Sequence, residues 1–206
     1  MSDKPQLSLY SKYAYRLIEG RKSDPENDRY PIYGLLQFAS MVNVIGNDAK
    51  QDNPFASWFL LRIENKFQAF KEALEAKQSW IDESSKDGTG IDYTPVINEA
   101  DANTIKVSFA TPHAWNAMRL LKQLDSFFLK ALNLKRVGLI TRDEFYRSTR
   151  GLSTLLLSCF HEATLYTSVE LTRDHINPPT DEAKSAFKLM GVVPAKVLSG
   201  EMKPQF

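Results

Sequence analysis

The stretch NTIKVSF at residues 103–109 decides the reading of this 206-residue chain. Polar Thr104, Lys106 and Ser108 alternate with apolar Ile105, Val107 and Phe109. A period of two puts one set on a buried face of a strand and the other on an open face. The strand is short, and the residues after it, from Thr111 to about Tyr166, have helical spacing instead. A lone strand leaves its backbone N–H and C=O groups without partners, so it must pair. Two partners are open: the same strand of a second copy, or Asp92–Ile97 of the same chain. The first gives a symmetric two-stranded ribbon carrying paired helices, a known way of placing side chains in the major groove of DNA.

The flanking segments supply the helices. Thr111-Pro112 is a cap followed by proline at the first helical position. Trp115, Met118, Leu121, Leu124, Phe128, Ala131 and Leu132 then form an apolar stripe that stops at Gly138. Thr141 and Glu144 have capping-box spacing, opening a second helix that carries Phe145, Leu152, Leu155, Leu156, Cys159, Phe160 and Ala163. It ends before Pro178-Pro179. Upstream, residues 1–30 read as polar chain, with loop composition at 23–29. A helix is predicted from about Pro31 to Ile45, stopped by Gly46-Asn47-Asp48. A longer one starts at an Asp52 or Asn53 cap with Pro54 in the first turn and keeps its spacing through Phe55, Trp58, Phe59, Arg62, Ile63, Phe67, Phe70 and Leu74 to about residue 81. Residues 82–101 hold six acidic side chains, one lysine, Gly88, Gly90 and Pro95, which is linker composition, with a weak strand at Thr89–Val96. A short helix over Thr180–Met190 and a tail complete the chain, and no internal repeat or low-complexity tract is read.

The fold expected is therefore mainly α with a short β-ribbon: a ribbon-helix-helix-like unit embedded in a larger helical domain and dimerised through the strand. Residues 1–100 form an N-terminal helical part ending in the acidic linker, 101–170 the ribbon unit, and 171–206 a C-terminal helix and tail.

Charge supports the same reading. The net charge of +1 conceals an asymmetry: segment 103–150 carries nine basic residues against three acidic ones, net +6, so the remainder is −5. A basic module in an acidic chain is expected of a polyanion binder. Thr104, Lys106 and Ser108 present hydrogen-bonding groups of the reach that reads base edges. Lys135 and Arg136 in the inter-helix turn, with Thr141 and Arg142 at the second helix's positive end, are the candidate phosphate contacts. Catalysis has little to work with. His113, His161 and His175 lack metal-ligand spacing, Cys159 reads as a core thiol, and no phosphate-binding glycine loop or GxSxG turn is present. No enzyme, cofactor or metal is expected. A single cysteine, no leader-like apolar stretch and no long apolar run point to the cytoplasm and away from membranes.

Five blocks carry a resemblance: YPIYGLLQFAS at 30–40, QDNPFASWFLLRIE at 51–64, VSFATPHAW at 107–115, VGLITRDE at 137–144 and MGVVPAKVLSGE at 190–201. Together they resemble the AcaB-like family, encoded on conjugative plasmids and integrating conjugative elements. The resemblance implies a DNA-binding transcriptional regulator, similar to ribbon-helix-helix factors, that activates conjugative-transfer genes. On this reading the partners are double-stranded DNA and a second copy of the chain, and the N-terminal helical part would enlarge the dimer or contact another regulator or RNA polymerase. Thr104, Lys106 and Ser108 are the positions that fit its ribbon pattern. The rival class is an accessory interaction protein of the conjugation machinery, holding an acidic partner with the same +6 segment.

Overall fold

Alternation of the kind seen at 103–109 also occurs at the N-terminus, where Gln6-Leu7-Ser8-Leu9 forms strand β1 (Gln6–Leu9). The computed structural model describes residues 5–95, 97–98, 100 and 102–206. After β1 come helix α1 (Lys12–Glu19), the short strands β2 (Gly20–Arg21) and β3 (Ile32–Tyr33), and helices α2 (Leu35–Lys50) and α3 (Pro54–Ser84). Strand β4 (Asn103–Lys106) precedes α4 (Pro112–Arg136), α5 (Arg142–Thr149), α6 (Leu152–Glu162), α7 (Asp181–Met190) and α8 (Ala195–Leu198).

β4 pairs antiparallel with β1 of the same chain. The expected shortage of a partner thus rested on reading residues 1–30 as polar chain, and that reading is corrected. The described residues of Thr89–Val96 form no strand, so pairing with Asp92–Ile97 is not the solution either. β1 escapes a reading of the sequence because it is four residues long and only Leu7 and Leu9 mark its inner face. Expected dimerisation through the strand is left without the vacancy that motivated it, since β1 occupies one edge of β4.

Helix ends follow local chemistry. The Ser11, Asn53, Thr111, Thr141 and Thr180 side chains each accept a hydrogen bond from a backbone amide of the first helical turn. Several boundaries depart from expectation, among them the start of α2, which is at Leu35 rather than about Pro31 because Ile32–Tyr33 form β3. Helix α2 runs through Gly46 to Lys50, because an interior glycine costs only about 1 kcal/mol and buried Val42 and Ile45 hold the helix on the core. The second helix of the ribbon unit is broken into α5 and α6 at Gly151, whose φ of 86° lies in the left-handed region. The β2–β3 pair depends on glycine in a different way. A Cβ on Gly34 would sit 2.4 Å from the Ile18 carbonyl oxygen, so only glycine allows this approach.

The long α3 is the central packing element, flanked by α2, α4 and α6. Phe38 of α2 lies between Phe67 of α3 and Phe160 of α6, at centroid distances of 5.9 and 5.1 Å. Buried Glu162 closes α6 onto α3 through ion pairs with Arg62 and Lys66, the latter at 3.0 Å. The C-terminal tail returns to the same helix: the Gln205 amide donates to the Glu64 carboxylate at 3.0 Å, and Phe206 packs edge-on to His113. One apolar cluster extends from Leu7 to Val197.

Candidate nucleic-acid interface

The ribbon has two chemically distinct faces. Gln6 lies opposite Lys106, Leu7 opposite Ile105, Ser8 opposite Thr104 and Leu9 opposite Asn103. The Val107 amide continues the ladder by donating to the Pro5 carbonyl at 2.9 Å. Leu7, Leu9 and Val107 are buried and form the inner face. Gln6, Thr104, Lys106 and Ser108 are exposed, and Ser8 is half-exposed. The Ser8 and Thr104 hydroxyls lie 3.0 Å apart across the strands. Thr104 and Lys106 therefore share the outward face of β4, as their alternation predicts; the strand ends at Lys106 rather than Phe109, and Ser108 is exposed just beyond it. Gln6 and Ser8 belong to the same face and are not found by sequence reasoning. The only signal for them is the alternation of Leu7, Ser8 and Leu9 before the Ser11 cap.

A buried carboxylate fastens this ribbon to the helices. Asp125 of α4 is fully buried and accepts from the Ser11 amide at 2.7 Å and the Tyr10 amide at 3.1 Å. The Lys122 ammonium neutralises it at 3.3 Å and donates to the Ser8 carbonyl at 2.6 Å. Lys122 also lies 4.6 Å from the Tyr10 ring centroid. These contacts determine where β1 leaves the sheet and where α1 begins. Sequence reasoning gives Asp125 no role, because its partners are more than a hundred residues away.

The four phosphate candidates cluster at the α4–α5 turn, ~20 Å along α4 from Lys122. Arg136, Thr141 and Arg142 are exposed. The Lys135 ammonium lies 4.8 Å from the Phe145 ring centroid and the Arg142 guanidinium 5.5 Å from that of Tyr146, so aromatic faces steady both cations. The helix end itself is already occupied. The Thr141 amide donates to Glu144 Oε2 at 2.7 Å, and this bond, with the Thr141 hydroxyl, holds the Glu144 carboxyl below its ordinary range. An external anion at that amide would compete with the chain's own carboxylate. The side chains of Arg136 and Arg142 are the groups left to meet one.

Other chemistry is sparse. Burial pushes the Cys159 thiol up to about 12, which disfavours the thiolate a nucleophile requires. His113 is bonded to Glu64 at 2.8 Å, and the His175 ring caps a short turn at the Thr172 amide. Among the described residues no group of three or more His, Cys, Asp or Glu side chains is arranged to hold a metal. No helix among them is long and apolar enough to cross a membrane.

The family model described as "Transcriptional regulator AcaB" matches residues 1–206, the whole chain. The chain belongs to the AcaB family of transcriptional regulators. The resemblance carried by the five sequence blocks is thereby confirmed. No curated protein matches the chain. Among solved structures, the chain is similar to one described as the crystal structure of selenomethionine-containing AcaB from uropathogenic E. coli. The TM-score is 0.57 over 96% of this chain and 95% of that one, at 14% identity. At that identity the likeness is one of fold: the mainly helical body with its small antiparallel sheet is an AcaB fold.

Proposed function

We propose that this AcaB-family chain is a cytoplasmic, sequence-specific double-stranded DNA-binding protein that activates conjugative-transfer genes of a bacterial mobile element. The observation that carries the DNA reading is the ribbon's outward face. A two-stranded β-ribbon fits the major groove of B-DNA, and amide, hydroxyl and ammonium groups on its open face match base-edge donors and acceptors. Lys106 supplies a guanine-directed donor, with Thr104 and Ser108 beside it. Arg136 and Arg142 bind phosphates and position the ribbon without reading sequence. Lys135 and Thr141 support that turn. Arg21 at the end of β2 and Lys22 just after it, both exposed beside the start of α2, are further candidate phosphate contacts. The ribbon needs no second copy to supply its partner strand. The helical body is left to contact another regulator or RNA polymerase.

The test is binding to double-stranded DNA measured by fluorescence anisotropy across a salt series. DNA binding predicts affinity that falls steeply and linearly on a log–log plot, with a slope counting the neutralised phosphates. Failure of the folded protein to bind any duplex at low salt would transfer the basic α4–α5 turn to an acidic protein partner, the accessory-protein reading.

A further inference from the structure

Resting on the DNA-binding reading, we infer that the chain carries its own two-fold partner: two strand–helix units, β1–α1 and β4–α4, form a single-chain reading head in which Gln6 reads bases opposite Lys106.

The two units match at a constant offset. QLSLYSKYAY at 6–15 lies against KVSFATPHAW at 106–115, so Ser8 corresponds to Ser108, Ser11 to Thr111 and Ala14 to Ala114. Identity is low, which is why no repeat is evident from sequence alone. The physical roles coincide instead. Leu7 and Val107 are both buried beneath the ribbon, at 3% and 2% exposure. Ser11 and Thr111 are both helix caps in extended backbone conformation, each accepting from the alanine amide three residues on, at 3.1 and 3.3 Å. Both alanines are fully buried.

The pairing register supplies an independent observation. Gln6 and Lys106, equivalent by the offset, are each other's cross-strand partners. That happens when a two-fold axis passes between the strands at that pair. The helices obey the same exchange. α1 and α4 leave opposite ends of the ribbon and pack on each other, and each also packs on the helix that follows it, α1 on α2 and α4 on α5. Two-chain ribbon readers obtain this arrangement by dimerisation, and their identical halves require palindromic targets. Here the halves differ. Gln6 has the donor–acceptor pair suited to adenine, and Lys106 the donor suited to guanine. The head therefore reads a non-palindromic centre, one chain to a site.

The test uses the full chain to enrich sequences from a random duplex pool, in parallel with Gln6→Ala, Gln6→Lys and Lys106→Ala. Gln6 is exposed and pairs through its backbone, so these variants retain the fold, checked by thermal melting. The wild type should enrich a non-palindromic centre. Gln6→Ala should lower discrimination at the adenine-preferring pair on the order of 10-fold. Gln6→Lys should make the centre guanine-directed on both strands and palindromic. Native mass spectrometry on a duplex with one enriched site should give one chain per duplex. A centre unchanged in both Gln6 variants but altered in Lys106→Ala would overturn the inference while leaving DNA reading by β4 intact. An obligate pair of chains per site would also overturn it. Enrichment of no sequence by the wild type would instead remove the underlying DNA reading, and this inference with it.

Discussion

Lys106 and Asp125 act on opposite faces of one ribbon, and their substitutions separate recognition from support. Lys106 is exposed and, among the described residues, pairs through its backbone, so Lys106→Ala should leave stability within about 0.5 kcal/mol. Asp125 is the reverse case. Removing its carboxylate strands the Tyr10 and Ser11 amides beneath the ribbon, at roughly 1–3 kcal/mol for each buried group left unsatisfied. Asp125→Ala should therefore lower the denaturant midpoint by the equivalent of about 2 kcal/mol or more; an unchanged midpoint would show that water replaces the carboxylate. A pH effect also belongs at this scale. The Lys130 ammonium hydrogen-bonds Asp82 and holds its carboxyl below the ordinary range, with the Gln78 amide assisting and partial burial opposing. A depressed folded value contributes stability above the unfolded carboxylate range, near about 4, and loses it as pH falls through the lower folded value. Asp82→Asn should flatten the acid limb of the melting-temperature profile and leave the neutral-to-alkaline limb parallel to wild type. The outward set is legible where alternation runs for seven residues and illegible where it runs for four. That difference separates Thr104, Lys106 and Ser108 from Gln6 and Ser8.

Elements are readable where a cap and an apolar stripe coincide. Thr111, Thr141 and Thr180 start helices where the sequence places them, and of Asp52 and Asn53 it is Asn53 that caps α3, because capping depends on neighbours within three residues. Strand pairing is non-local: β1 and β4 are nearly a hundred residues apart, and nothing near Gln6 announces its partner. The break at Gly151 is hidden for another reason. The apolar positions continue across it, and only the left-handed backbone conformation interrupts them. The two caps flanking the ribbon allow a matched prediction. Ser11→Ala and Thr111→Ala each remove one cap bond from equivalent helices and should cost about 1 kcal/mol apiece in denaturant unfolding. Near-equal costs support the equivalence of α1 and α4. A Ser11→Ala cost near zero would show that Asp125 alone holds that helix start.

At the scale of the whole molecule, the +6 of segment 103–150 stands against −5 summed over the remaining residues. The β4 strand and the α4–α5 turn both belong to the basic segment, so the proposed DNA contact would be centred on it. On that proposal the acidic remainder would repel the duplex elsewhere and so orient approach. Family membership establishes a transcriptional regulator, and the proposed role of the ribbon is to select the sequence such a protein would act on. The most direct measurement is the ratio of affinities for an enriched duplex and a scrambled one, at one fixed salt concentration, for wild type, Lys106→Ala and Arg142→Ala. Base readout by the ribbon predicts that Lys106→Ala reduces the ratio on the order of 10-fold or more. Arg142→Ala should weaken both duplexes alike and leave the ratio unchanged. A Lys106→Ala ratio equal to wild type would contradict sequence reading by the ribbon.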